Sequence, residues 1–364
     1  MIVQDVIDHL DALSPLAYAE DFDNVGLLVG NRNDKVTGIL VTLDTLEAVV
    51  DEAIVNDCNL IVSFHPIIFK GLKRLNGSNY VERAVIKAIK HGIAIFAIHT
   101  ALDNAMQGVN TMICEQLDIK NPKILIPQIG TIKKLTTYVP KNELESLRAA
   151  LFKAGGGAIG NYNECSFNVD GIGTFNGNEI SNPTLGTKGQ FQEEEEVKLT
   201  MIFAKHLESK ILQTLFKVHS YEEVAYEVIT VENKNQDIGM GMIGEFESPM
   251  APEEFLKMIK EKMKTGCVRH SKILDKIIKK VAVLGGSGSF AISAAKANGA
   301  DAFITADLKY HDFFQAEDNI LLADVGHYES EQYTKNLLVS YLTKKIPNFA
   351  IILSKTNTNP VKYL

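Results

Sequence analysis

The sequence predicts an α/β protein: a three-layer domain with a mostly parallel or mixed sheet, interrupted by an inserted ferredoxin-like α+β domain. Three observations point there. β-branched runs alternate with helix-length amphipathic segments in both outer thirds of the chain, the pattern of βαβ units. The middle third changes to the order β, α, β, β, α, β, which is the ferredoxin-like arrangement. Both changes are punctuated, by Pro122, Pro127 and Gly130 and then by Gly239, Gly241 and Gly244. At about 150 residues per domain two or three domains are expected in a chain of 364 residues. The predicted divisions are 1–126 and 246–364 for the two halves of the α/β domain and 127–245 for the insertion.

In the first half, Val36–Leu43 is β-rich, and Leu46–Asn56 carries apolar residues at helical spacing. Leu60–Phe64 reads as a buried strand, Tyr80–Lys90 as a helix, Ile93–Ile98 as a strand and Gln107–Leu117 as a helix. The insertion is read as strands over 135–139, 164–169, 197–203 and 225–231, with helices over 144–154 and 208–218. In the second half, Val281–Leu284 is a strand ending in Gly285-Gly286-Ser287-Gly288, followed by a helix through Ala297. Ala302–Thr305 and Ile320–Ala323 are strands, Ser330–Lys344 a long helix and Phe349–Leu353 a last strand.

Hydrophobic residues make up 46% of the chain, enough for a full core. The net charge of -8 supplies no basic field for nucleic acid or an anionic membrane. The basic stretch from Lys262 to Lys280 reads as a solvated helix face and loop, and Glu193–Glu196 as a solvated charge run. Four scattered cysteines, Cys58, Cys114, Cys165 and Cys267, have neither disulfide nor zinc-site spacing and suit free thiols. With no secretion signal at the N-terminus and no apolar run of membrane-spanning length, a soluble cytoplasmic protein is expected.

Chemistry gathers where predicted strands end. Open α/β sheets bind ligands beyond the carboxyl ends of their strands. His65 ends one strand before Pro66, and His99 and Asp103 follow the next. His327 follows a third strand and is four residues before Glu331, a spacing that brings side chains to one helix face. Taken in isolation, a capped helix start explains the His327–Glu331 pair better than a metal does, and a strand histidine is more often a hydrogen-bonded core residue than a ligand. His99 ranks below Asp103 as a ligand, and Thr100 and Asn104 are the natural partners to orient Asp103. A site of imidazoles and carboxylates without thiolate suits zinc, manganese, iron or cobalt. Hydrolysis is the chemistry such a site implies.

Gly286-x-Gly288-x-x-Ala291 opens a helix after a strand, with Asp307 about 20 residues on, as in a dinucleotide fingerprint. Only half of such a site is visible, so the expectation for Gly286, Ser287 and Gly288 is a phosphate held by backbone N–H groups, against a plain tight turn. Asp307 and His311 form a second acid–imidazole pair, suited to acid–base or orienting roles or to a surface helix start. His219-Ser220-Tyr221-Glu222-Glu223 is a turn with no catalytic partner nearby.

Asp23-Asn24-Val25-Gly26-Leu27-Leu28-Val29-Gly30, His65-Pro66, His99-Thr100-Ala101-Leu102-Asp103, Gly285-Gly286-Ser287-Gly288 and His327-x-x-x-Glu331 occur in that order. This series resembles the Nif-three-like proteins, also called GTP cyclohydrolase I type 2 homologues or dinuclear-metal-centre hexameric proteins. The central segment looks like the PII/CutA-like domain inserted in the longer bacterial members. The resemblance implies a homohexameric toroid, a trimer of dimers. Its divalent metal, one or two ions per chain, would be held by His65, Asp103, His327 and Glu331, with Glu331 bridging. It further implies hydrolysis of the guanine ring of GTP, by metal-activated water, to formate and a dihydroneopterin triphosphate. A nucleotide or phosphorylated small molecule would be the partner, the glycine turn holding its phosphates. The alternative is a non-catalytic regulatory or scaffold hexamer with a structural metal and a small-molecule-sensing insertion. The sequence departs from the family at Phe64, where a second histidine usually precedes the proline. Phenylalanine cannot ligate, so a mononuclear or half-occupied site is expected.

Overall fold

Burial of alternate side chains on opposite faces defines the strands around the site. Leu60, Val62 and Phe64 face one apolar layer, and Ile61 faces another. Ala94, Phe96 and Ile98 repeat this about Ile95, as do Ile39, Val41 and Leu43 about Leu40. Strands covered on both faces read as continuous apolar runs, and each fully buried large aliphatic or aromatic side chain contributes about 1.5–3 kcal/mol. The computed structural model describes residues 1–364. They fold as two units, residues 1–127 with 237–364, and residues 128–236.

The larger unit is α/β with two mixed sheets. The first has five strands in the order Gly26–Val29, Ala94–Ala97, Leu60–Ser63, Ile39–Thr42, Ile351–Leu353. All neighbours in it are parallel except Gly26–Val29, which runs antiparallel at one edge. The second has six strands in the order Arg269–His270, Leu321–Asp324, Ala302–Ala306, Ile278–Ser287, Gly239–Met250, Lys120–Pro127. Its centre is parallel and its flanks are antiparallel. A shared core lies between the sheets and takes residues from the helices Val3–Leu13, Val109–Leu117, Pro252–Lys262 and Thr334–Lys345. Glu47–Val55 and Tyr80–Lys90 cover the outer face of the first sheet, and Ile292–Ala297 covers that of the second.

The expected single three-layer sheet therefore gives way to two sheets with helices between and outside them. The chain also crosses between its halves. Its last strand completes the first sheet, while Lys120–Pro127, from the N-terminal half, edges the second. Strand periodicity identifies a strand but not its neighbour, which is why the pairing was not legible. The Gly239–Met250 strand, whose first residues the glycine punctuation assigned to the insertion, pairs with both Lys120–Pro127 and Ile278–Ser287. The long helix expected from Ser330 is two helices, His327–Glu331 and Thr334–Lys345. No helix is long and apolar enough to cross a membrane.

Residues 128–236 form a four-stranded antiparallel sheet in the order Phe167–Asn176, Phe191–Ala204, Ile132–Pro140, Tyr226–Val231. The helices Leu144–Ala154 and Glu208–Val218 bury Leu147, Leu151, Ile211 and Leu215 against Leu135, Leu199 and Phe203 of the sheet. The two central chain segments extend further than their apolar cores suggest, because Phe167–Asn176 and Phe191–Glu196 pair as a largely exposed hairpin.

Candidate metal centre

Carboxyl ends of parallel strands from both sheets meet at one place. His65 continues beyond Leu60–Ser63, its N–H donating to Leu43 O at 2.9 Å. His99 follows Ala94–Ala97 and opens the helix that carries Asp103. From the second sheet, Asp307 follows Ala302–Ala306, and His327 follows Leu321–Asp324 through Gly326 at φ +93°. The helix His327–Glu331 then turns the Glu331 carboxylate back toward His327.

His65, His327 and Glu331 are brought together, their ligand atoms all lying within 4.8 Å of one another. Glu331 Oε2 is 3.1 Å from His65 Nε2 and 3.2 Å from His327 Nε2. On the far side of each ring stands a second carboxylate: Asp44 Oδ1 is 2.8 Å from His65 Nδ1, and Asp307 Oδ2 is 2.6 Å from His327 Nδ1. An ionised carboxylate only accepts, so each Nδ1 carries the proton and each Nε2 turns toward Glu331. Metal-ligating histidines are oriented in this way. Asp44 was not singled out from the sequence, although it too follows a strand, Ile39–Thr42. Its position beyond that strand was the available signal.

Electrostatics identify a point that attracts positive charge. Burial pushes the His65 imidazole down, but the Glu331 charge and the Asp44 hydrogen bond outweigh it and lift the pKa to about 10. Burial also acts downward on His327, and Asp307 and Glu331 raise it to about 11. Glu331 is held at about 2, because the two imidazoles overcome its burial. Asp103, part-buried with its Oδ1 shut off from solvent, is pushed well above the usual carboxylate range, first by burial and then by the Glu331 charge. Asp103 thus feels the same centre, though it stands outside the three residues whose ligand atoms cluster.

These residues fit a divalent cation. Glu331 Oε2 and Asp103 Oδ1 are buried without a hydrogen-bond partner, a condition that costs about 1–3 kcal/mol per group and that a cation relieves. The imidazole nitrogens approach Oε2 at ion-pair distance but outside hydrogen-bonding geometry. Gly286, at φ +67°, leaves the space open: a Cβ there would lie 2.4 Å from Glu331 Oε1 and 3.4 Å from His327 Nε2.

The other candidate residues have the following surroundings. The Gly286 N–H donates to Ser330 Oγ at 2.9 Å and the Gly285 N–H to Asn110 Oδ1 at 3.0 Å. Gly288 packs against Thr305, whose hydroxyl oxygen a Cβ would meet at 2.1 Å, and Ser287 pairs with Ala306 in the sheet. The Gly286 amide is thus spent inside the protein, and what this turn provides is close approach to Glu331 and to Thr305. Thr100 donates to Asp23 and Asn104 to Tyr18 O and Glu20, so neither orients the Asp103 carboxylate. His99 turns its Nδ1 to Asp23 at 2.9 Å. Phe64 is fully buried in the shared core, its ring centroid 4.9 Å from that of His65 and 5.5 Å from that of His99. His311 is exposed, its ring edge-on to that of Tyr310, and it is not among the three clustered ligand residues.

Comparisons with known proteins agree over the whole length. The model of the family described as Duf34/NIF3 (NGG1p interacting factor 3) matches residues 1–360. The chain is 38% identical to the GTP cyclohydrolase 1 type 2 homolog of Bacillus subtilis, over 99% of this chain and 98% of that one. The homolog of the same description from Halalkalibacterium halodurans is 35% identical, with 99% and 98% covered. Among solved structures, a Bacillus cereus protein related to NIF3 superposes with a TM-score of 0.87 at 34% identity, covering 100% of this chain and 99% of that one. A Staphylococcus aureus protein does so with a TM-score of 0.80 at 31% identity and the same coverage.

Proposed function

The chain belongs to the Duf34/NIF3 family, and from that premise we propose that it is a metal-dependent hydrolase acting on a purine nucleotide. Its relatives are described as GTP cyclohydrolase 1 type 2 homologs, and the reaction proposed is the one the resemblance implies: GTP and water give formate and a dihydroneopterin triphosphate. The observation that carries the reading is the convergence of His65 Nε2, His327 Nε2 and Glu331 Oε2, with Asp44 and Asp307 behind the rings. His65, His327, Glu331 and Asp103 would hold the ion, and their chemistry suits zinc, manganese, iron or cobalt. Such an ion lowers the pKa of water and polarises the bond under attack. Asp44 and Asp307 keep protons at Nδ1, so the opposite nitrogens stay directed at the centre. Burial and the Glu331 charge raise the Asp103 carboxyl, and a cation taken up beside the two carboxylates would relieve both.

Formate release from GTP by protein loaded in turn with each of these metals tests the reading. Wild type should release formate, and Glu331→Gln and His327→Ala should release none. No formate from any metal form of the wild type removes the hydrolase assignment.

A second reading, a regulatory or scaffold hexamer with a structural metal, is favoured by one observation. Residues 128–236 carry an open pocket of about 690 Å³ of their own, lined by Tyr138, Val169, Ile172, Phe175, Leu185 and Tyr221 among others. The β, α, β, β, α, β order and the strand arrangement support reading this unit as ferredoxin-like and PII/CutA-like, with the pocket as a sensing site. Light scattering separates the readings: hexamers that need metal to assemble, together with absence of formate, favour the scaffold.

A further inference from the structure

A cleft of about 920 Å³ begins at His65 and Asp44 and runs along the loop of residues 65–79. Lys70, Lys73 and Arg74 line it, all exposed and none in an ion pair. Their neighbours on the next helix are different: Arg83 is paired with Glu47 and Lys87 with Asp51. Both carboxylates in the wall are already engaged. Glu82 accepts from the Asn76 and Ser78 N–H groups, the Ser78 hydroxyl and the Asn79 amide. Asp44 accepts from His65 and from the Thr358 hydroxyl. Three cations thus line the cleft without an ion-pair partner, in a protein whose net charge is -8.

We infer that this loop, rather than the glycine turn, holds a phosphate chain, and that Lys70, Lys73 and Arg74 are its phosphate-binding residues. The inference rests on the nucleotide reading for the identity of the ligand, a nucleoside triphosphate with its base at the metal centre. Arginine and lysine give a polyanion charge-assisted hydrogen bonds, and a cleft focuses their field. The cleft starts at a metal-centre histidine, so one ligand can reach both.

Calorimetric titration of the full, metal-loaded protein with GTP, guanosine and inorganic tripolyphosphate tests this, with metal content measured after each titration. Lys73→Ala/Arg74→Ala should weaken GTP and tripolyphosphate at least tenfold and leave guanosine and metal content unchanged. Lys70→Ala should act in the same direction, and Lys188→Ala, on the other unit, should do nothing. The inference is overturned if wild type binds neither polyanion, if the double variant keeps wild-type affinity, or if Lys188→Ala weakens binding equally. Its fate is separate from that of the hydrolase reading: charge-dependent triphosphate binding without formate leaves the site and removes the chemistry.

Discussion

At the scale of the residue, Phe64 sets the stoichiometry expected of the centre. Its ring belongs to the shared core and packs against those of His65 and His99, where it supplies no ligand. Elemental analysis of the purified protein is expected to find one tightly held ion per chain, and two would contradict this. Phe64→His should raise the count, while lowering the apo-protein's melting temperature because an imidazole replaces a buried phenyl ring. Asp307 bears on affinity instead. Removing the carboxylate behind a ligating histidine costs about 10–100-fold in metal affinity, so Asp307→Ala should lose that much in chelator competition. An unchanged affinity would mean that His327 is not a ligand. His65, His327 and Glu331 were legible because a polar residue after an apolar strand is conspicuous. The partners of the Gly285 and Gly286 amides were not, since Asn110 and Ser330 reach them from distant parts of the chain.

At the scale of the element, the start of the segment after Ile351–Leu353 is tied down by Glu52. Glu52 accepts from the Lys355 N–H at 2.7 Å and from the Ser354 and Thr356 hydroxyls at 2.6 Å each. Burial pushes this carboxyl up, but these bonds outweigh it and hold its pKa below the ordinary 4.5. A lowered folded-state pKa stabilises above the unfolded value and stops doing so as pH falls through the folded one. Glu52→Gln should therefore destabilise at neutral pH, and the difference from wild type should shrink below pH 4.5. Urea midpoints at neutral and acid pH measure it, and a gap independent of pH would refute it. Helices such as Tyr80–Lys90, Leu144–Ala154 and Glu208–Val218 and the apolar strands Leu60–Ser63 and Ala94–Ala97 were readable from periodicity, whereas Pro252–Lys262 was not read. Gly26–Val29 and Lys120–Pro127 were not, because each is an edge strand defined by its partner more than by its own composition.

At the scale of the whole molecule, residues 128–236 leave and re-enter the larger unit at paired positions, Pro127 opposite Gly239. Joining those strands by a two-residue Asn-Gly turn would make an ordinary hairpin. The shortened protein is expected to fold and to keep its metal affinity, as judged by melting and chelator competition. An insoluble product, or one that binds no metal, would show the larger unit to depend on the smaller. The centre itself joins the two sheets, His65 coming from one and His327 with Glu331 from the other. An ion bound there acts as a rivet, because it binds only when both plates are in place, and each added increment of free ion raises the work of prying them apart. Proteolysis should read this directly, with chelation speeding cleavage on both sides of the rivet together and added metal slowing it.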